Sequence, residues 1–266
     1  ENDVASIIDE SDKPTVTASA ESSNINESGS PDYIFNIEFD KPIKTTTTFS
    51  AVQVGGTASS NDYVLSTAVM PAYSTKTTMA VSIVNDIDVE DTESLILEIL
   101  PNNISDLGEV RGSPTISFNI ENFTSEEMTM LLEWDAADNP DLCNIDFDVF
   151  LDSYGAYAFT GSCPEFLMEC VNPSNLCTSV LPDGIHLIIV DLWDLHGAPS
   201  SIQIPLRLTI GKAGIILANL DLGNFYTTDN GDSISGNDGT KVVGYVEVTD
   251  GKYSIFDSND NLIEQE

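Results

Sequence analysis

The stretch Ile83-Val-Asn-Asp-Ile-Asp-Val-Glu-Asp-Thr-Glu-Ser-Leu-Ile-Leu-Glu-Ile99 belongs to two strand-like apolar segments, residues 79–84 and 95–100, and the connection between them. Asp86, Asp88, Glu90, Asp91 and Glu93 fall within eight residues of that connection, with no Lys or Arg among them. Like charges this close repel one another unless water, salt or a cation screens them. A hard divalent ion, which takes about six to eight oxygens, is one neutraliser. The other reading is a solvated loop in a very acidic protein.

Outward from this loop the first half of the chain reads as short strands. Residues 15–20 and 33–39 alternate apolar with polar, and 45–54 are rich in β-branched side chains before Gly55-Gly56. Residues 63–69, 77–84, 94–100 and 115–120 continue the series, with no helical period between them. Seven short strands at regular spacing predict a β-sandwich. Residues 1–13 read as a flexible tether and 123–128 as a joint between domains, giving a first domain over 14–122 and a second over 123–266.

The second half is also all-β, with strands expected at 130–134, 145–151, 184–192, 202–210, 215–220, 241–248 and 252–257. Asp250-Gly251 predicts a tight hairpin turn, and residues 257–261 another. Cys143, Cys163, Cys170 and Cys177 all lie in this half. An even count without a Cys-x-x-Cys pair predicts two disulfides rather than a zinc site, and hence an exported protein.

Three motifs in the first half, in order, resemble the Calx-β domain. They are Asn26-Glu27-Ser28-Gly29, Gly56-Thr57-Ala58 followed by Asp62-Tyr63, and the acidic loop itself. The resemblance covers about residues 14–122 and implies an immunoglobulin-like sandwich. In the family's calcium-binding members, carboxylates from these three loops converge on the ion. Carried over by position, the metal ligands it implies here are Glu27, Asp62, Asp86, Glu90 and Glu93, and the cofactor is calcium. Two departures thin the set: Asn85 stands where another Asp is common, and Asn119-Ile-Glu-Asn122 lacks the family's terminal Asp cluster.

In the second half, Leu131-Leu-Glu-Trp134, Asp146-Phe-Asp-Val-Phe-Leu151 and the run from Leu181 to Trp193 are similar to bacterial pre-peptidase C-terminal-like domains. That resemblance implies a jelly-roll-like sandwich serving secretion or surface binding. The fold class expected is therefore all-β, two β-sandwiches in tandem.

The formal net charge of −35 argues against nucleic acid and anionic membranes as partners, and favours cations, basic partners or simple solubility in a salty environment, the last being the commonest reason for such a charge. No apolar run is long enough for a membrane span. The expected location is outside the cytoplasm, as a cell-surface, outer-membrane lipoprotein or periplasmic protein, with room for a lipid anchor upstream of Glu1. The motifs of serine hydrolases, zinc proteases and phosphate-binding loops do not occur, so no enzyme is expected.

The partner class expected is a protein or glycan at the cell surface. A carbohydrate-binding or glycan-processing accessory role is the alternative, with Trp134 and Trp193 as a sugar platform. Asp229, Asp232 and Asp238 offer a weaker second cation site in a glycine-rich loop, which otherwise reads as a plain hairpin connection. His186 in its strand reads as structural, His196 lies in a turn, and Asp146, Asp148 and Asp152 read as the solvated side of a strand.

Overall fold

A computed structural model describes residues 10–29, 31–86, 88–102, 110–134, 142, 144–151, 158–160, 165–168 and 180–266. The four cysteines and Asp152 lie outside the described residues. The chain divides into two compact units. The first ends at Phe123 and excludes Ile87–Val89; the second continues from Thr124 to Glu266.

The strands of the first unit are β1 (Val16–Ala20), β2 (Asn24–Asn26), β3 (Asp32–Phe39), β4 (Thr47–Gly56), β5 (Tyr63–Leu65), β6 (Ala68–Met70), β7 (Lys76–Ile83), β8 (Glu93–Asn102) and β9 (Thr115–Glu121). They form two sheets, ordered β1-β3-β7-β5 and β2-β9-β8-β4-β6. Period-two patterning drives the arrangement: in β3, Phe35, Ile37 and Phe39 are buried while their neighbours are not. The inward residues of the two sheets meet in one core, where Phe35 packs on Phe118 with ring centroids 6.1 Å apart and Phe39 on Phe49 at 5.7 Å. Each such side chain, fully buried, contributes about 1.5–3 kcal/mol.

Three details depart from the sequence reading. Residues 63–69 are not one strand: β5 pairs with β7 in one sheet and β6 with β4 in the other. The chain changes sheets at Ser66, whose amide and hydroxyl both donate to the Ala80 carbonyl. Gly55-Gly56 does not stop the pairing: both glycines remain in β4, opposite Ile96 and Leu95, after a bulge between Gln53 and Gly55 that re-aims the strand. Strand β2, only three residues long, pairs parallel with β9 and is too short to show an alternating pattern.

The second unit contains β10 (Met128–Trp134), β11 (Asp146–Leu151), β12 (Ala158–Thr160), β13 (Glu165–Met168), β14 (Gly184–Asp194), β15 (Gln203–Lys212), β16 (Ile216–Thr227), β17 (Thr240–Thr249), β18 (Lys252–Asp257) and β19 (Leu262–Gln265). Its sheets are ordered β13-β10-β15-β16 and β12-β11-β14-β17-β18-β19. Both units are therefore β-sandwiches, arranged in tandem along the chain. The second core includes the aromatic series Trp134, Phe147 and Tyr226, with centroid separations of 5.2 and 5.5 Å. Trp134 donates its indole N–H to the Leu142 carbonyl at 2.9 Å, and the Tyr226 hydroxyl lies 2.8 and 2.7 Å from the Val190 and Gly239 carbonyls. These buried polar tips are satisfied from within the core.

The expected hairpin turns both form. Asp250 and Gly251 adopt φ of 52° and 77°, as a two-residue turn between β17 and β18 requires. The Asp257 carboxylate accepts from the Asn259 and Asn261 amides at 2.8 and 2.9 Å, closing the β18–β19 connection.

Candidate metal centre

The motif Gly56-Thr57-Ala58 acts through its backbone. Gly56 has φ 103°, and a Cβ there would collide with the Ser94 carbonyl. The vacancy lets the Thr57 and Ala58 amides both donate to that carbonyl, at 2.8 and 3.1 Å. The Ser94 amide returns a bond to the Thr57 hydroxyl at 3.0 Å. The motif thus grips the start of β8 beside Glu93.

Asp62 is placed by the same loop. Its Oδ2 accepts from the Ser59 amide and its Oδ1 from the Ser59 hydroxyl. Gln53 links the two halves of the motif, donating to the Ala58 carbonyl at 2.8 Å and accepting from the Tyr63 hydroxyl at 2.8 Å. The Asp62 carbonyl accepts from the Val84 amide at 2.9 Å, joining this loop to the start of the acidic connection.

Against this frame Asp62, Glu90 and Glu93 each present a carboxylate oxygen, and the three oxygens lie within 4.8 Å of one another. Glu27, in the turn after β2, is buried, and its Oε2 accepts from the Phe123 amide at 3.0 Å. Burial raises the Glu27 pKa, the Phe123 amide opposes this, and Asp86 and Asp62 add to the rise. Burial also pushes the Glu93 carboxyl up, to about 7, with the adjoining Asp62 carboxyl next in weight and Glu90 and Glu27 behind it. Asp62, Glu90 and Glu93 form the close set, with Glu27 and Asp86 as charged neighbours outside it.

One oxygen decides what the cluster can do. Glu93 Oε2 is buried and has no hydrogen-bond partner. An unpaired buried carboxylate oxygen beside further carboxyls is relieved by a proton or by a cation. Oxygen-only donors suit a hard ion, and calcium at about 2.3–2.6 Å from each ligand can bridge oxygens this far apart.

The sequence reading missed the outer supports of the cluster. Asn122 Nδ2 donates to the Glu90 carbonyl at 3.0 Å. Ser59 and the Phe123 amide orient Asp62 and Glu27 as described. Ser59-x-x-Asp62 is a recognisable local turn signal; the Asn122 and Phe123 bonds, made across the fold, have no counterpart in local sequence.

The remaining sequence candidates fall elsewhere. In the 229–239 loop, Asp229 accepts from the Ser201 amide and hydroxyl, Asp232 from the Leu195 and Ser235 amides, and Asp238 from Thr240. Those carboxylates shape the loop. Asp148 is not simply on a solvated face: it pairs across strands with buried Asp191, and burial followed by Asp191 and Asp146 lifts its pKa to about 6. His186 is buried and bonded to the Pro182 carbonyl at 2.8 Å, while His196 meets Asp146 at 2.7 Å. Trp134 is buried in the core and Trp193 is 42% exposed, so the two do not form a sugar platform.

No family model matches the chain, and no curated protein matches it. Among solved structures, it is similar to the apo form of the Calx CBD1 domain, at 12% identity and a TM-score of 0.30, over 41% of this chain and 97% of that one. It is also similar to a two-domain protein of unknown function from Bacteroides fragilis, at 7% identity and a TM-score of 0.34, over 60% and 83%. A third likeness is to the YadV chaperone, at 8% identity and a TM-score of 0.29, over 78% and 99%. At these values the likenesses carry no argument about ligand, activity or partner. Among the described residues, no helix is long and apolar enough to cross a membrane.

Proposed function

We propose that this chain is a non-enzymatic interaction module of an exported protein, and that its first sandwich is Calx-β-like and stabilised by calcium. The observation that carries the ion is the buried, donor-free Glu93 Oε2 within a close set of carboxyls. The ion would draw oxygens from the Asp62 loop, the acidic connection and the head of β8, with Glu27 adding negative charge from a fourth segment. Its role is structural. It replaces repulsion among these groups with attraction and orders the loops that bear them. Because Glu27 and Glu90 are bonded to Phe123 and Asn122, the same ordering reaches the residues where the chain leaves the first unit.

Calcium titrated into chelator-treated protein tests this reading. Saturable heat and a rise in melting temperature are expected, with linkage supplying about 2.7 kcal/mol at a hundredfold excess over Kd. Absence of both heat and stabilisation at millimolar calcium would overturn it.

A further inference from the structure

The outer face of the six-stranded sheet in the second unit carries an apolar stripe whose centre is half-buried and whose ends are exposed. Cross-strand register lines up Leu187, Tyr245, Phe256 and Leu262 across β14, β17, β18 and β19. Their chain neighbours Ile188, Val246 and Ile255 are buried, so this row points away from the core. Ile189 pairs with Val242 in a second row alongside. Ile185, Leu262 and Val242 are 60%, 51% and 44% exposed. Tyr245 and Phe256 stack nearly parallel at 4.7 Å, which makes the centre of the stripe aromatic. An edge strand bearing exposed leucine and isoleucine beside such a stripe is a surface that solitary proteins usually blunt.

The border of the stripe is acidic. Glu247 stands opposite Ile185, Asp257 ends β18, and Asp260 lies in the turn that follows. All three act electrostatically on the Tyr245 hydroxyl, whose pKa burial raises first and these carboxylates raise further. Lys252 sits at the hairpin end of the sheet, while the Lys241 ammonium is turned to the Phe225 carbonyl. With a chain charge of −35, the acidic border disfavours a second copy of this chain and an anionic lipid surface alike. It favours a segment carrying cations around apolar side chains.

We infer that the outer face centred on Tyr245, Phe256 and Leu262 docks a basic polypeptide segment, whose aliphatic or aromatic side chains cover the stripe while its Lys or Arg residues meet Glu247, Asp257 and Asp260. The inference rests on the interaction-module reading and adds the face and the chemistry of the partner. It does not depend on the calcium centre, which lies in the other unit.

The test uses the full chain and two end-blocked peptides of equal charge, one alternating Lys with Leu and one alternating Lys with Ser. At about 0.15 M salt, where general charge attraction is screened, the Lys/Leu peptide is expected to bind at least about tenfold more tightly than the Lys/Ser peptide. Ile185→Ser and Leu262→Ser, both at exposed positions, should together abolish that preference without lowering the melting temperature. Peptide-induced shifts in NMR should centre on the Tyr245 and Phe256 rings. Equal affinity for the two peptides overturns the inference, as does a preference that survives both substitutions. Concentration-dependent dimerisation, or binding to phosphatidylglycerol vesicles, that the same substitutions remove would assign the face to another occupant. The measurements are made in calcium and in chelator, so failure here leaves the calcium titration to stand or fall by itself.

Discussion

Thr57 and Ser94 hold each other by two hydrogen bonds, the Thr57 amide to the Ser94 carbonyl at 2.8 Å and the Ser94 amide to the Thr57 hydroxyl at 3.0 Å. Ser94 adjoins Glu93, so this pair couples the glycine-containing turn to the candidate ligand. Thr57→Val keeps the side-chain shape but leaves the Ser94 amide without its acceptor. A loss of about 1–3 kcal/mol is expected in chemical denaturation, with weaker calcium binding by calorimetry. Gly56→Ala should destabilise as well, because both its φ of 103° and the nearby Ser94 carbonyl oppose a Cβ.

The Glu93 pKa, raised from 4.5 to about 7, sets a pH dependence for the metal-free protein. Between those values the folded state binds more protons than the unfolded state, so stability falls as pH rises through that window. Saturating calcium should reverse the trend, since the ion binds the carboxylate form. Glu93→Gln should flatten the chelator-treated profile and weaken the ion's effect. A profile in chelator that rises across the same window would contradict this account.

Asp62→Asn keeps an acceptor for the Ser59 amide, with its NH2 turned to donate to the Ser59 hydroxyl, but removes one anionic charge from the close set. Calcium affinity should fall by about tenfold or more in titration, while the melting temperature in chelator holds steady or rises as repulsion is relieved. Glu98→Gln, on β8 and outside the close set, serves as the control and should leave affinity unchanged.

Lys212 is almost wholly buried, and its ammonium bonds Glu126 at 2.8 Å, Glu266 at 2.9 Å and the Gly251 carbonyl at 2.9 Å, over the Tyr253 ring. Lys212→Met should cost about 3 kcal/mol in equilibrium unfolding, largely from the uncompensated carboxylate left at Glu266. Glu126 weighs less because it is 66% exposed. Adding Glu266→Gln should recover part of the loss.

Tyr226→Phe removes the proton shared by the Val190 and Gly239 carbonyls inside the second core. About 1–3 kcal/mol of destabilisation is expected, with the ring packing on Phe147 kept and the effect visible as faster amide exchange around Gly239.

The sequence by itself determined the all-β class and most of the strands, because a half-buried strand must alternate side chains between core and solvent. That rule makes Phe35, Ile37 and Phe39 legible without coordinates. It also determined the Asp250-Gly251 turn, where local backbone geometry chooses the residues. Only the tertiary structure decided that residues 63–69 serve two sheets, since the local pattern of a strand does not say which neighbour accepts its hydrogen bonds. The same holds for the carboxylates. Counting acids marked Asp86, Asp88, Glu90, Asp91 and Glu93 alike, and the Calx-β resemblance added Glu27 and Asp62. The burial of Glu93 Oε2, the closeness of Asp62 and Glu90, and the anchoring of Glu27 by Phe123 depend on segments far apart in the chain. Charge is written in the sequence, whereas desolvation, which separates a solvated acid from an ion ligand, exists only once the fold has removed the water.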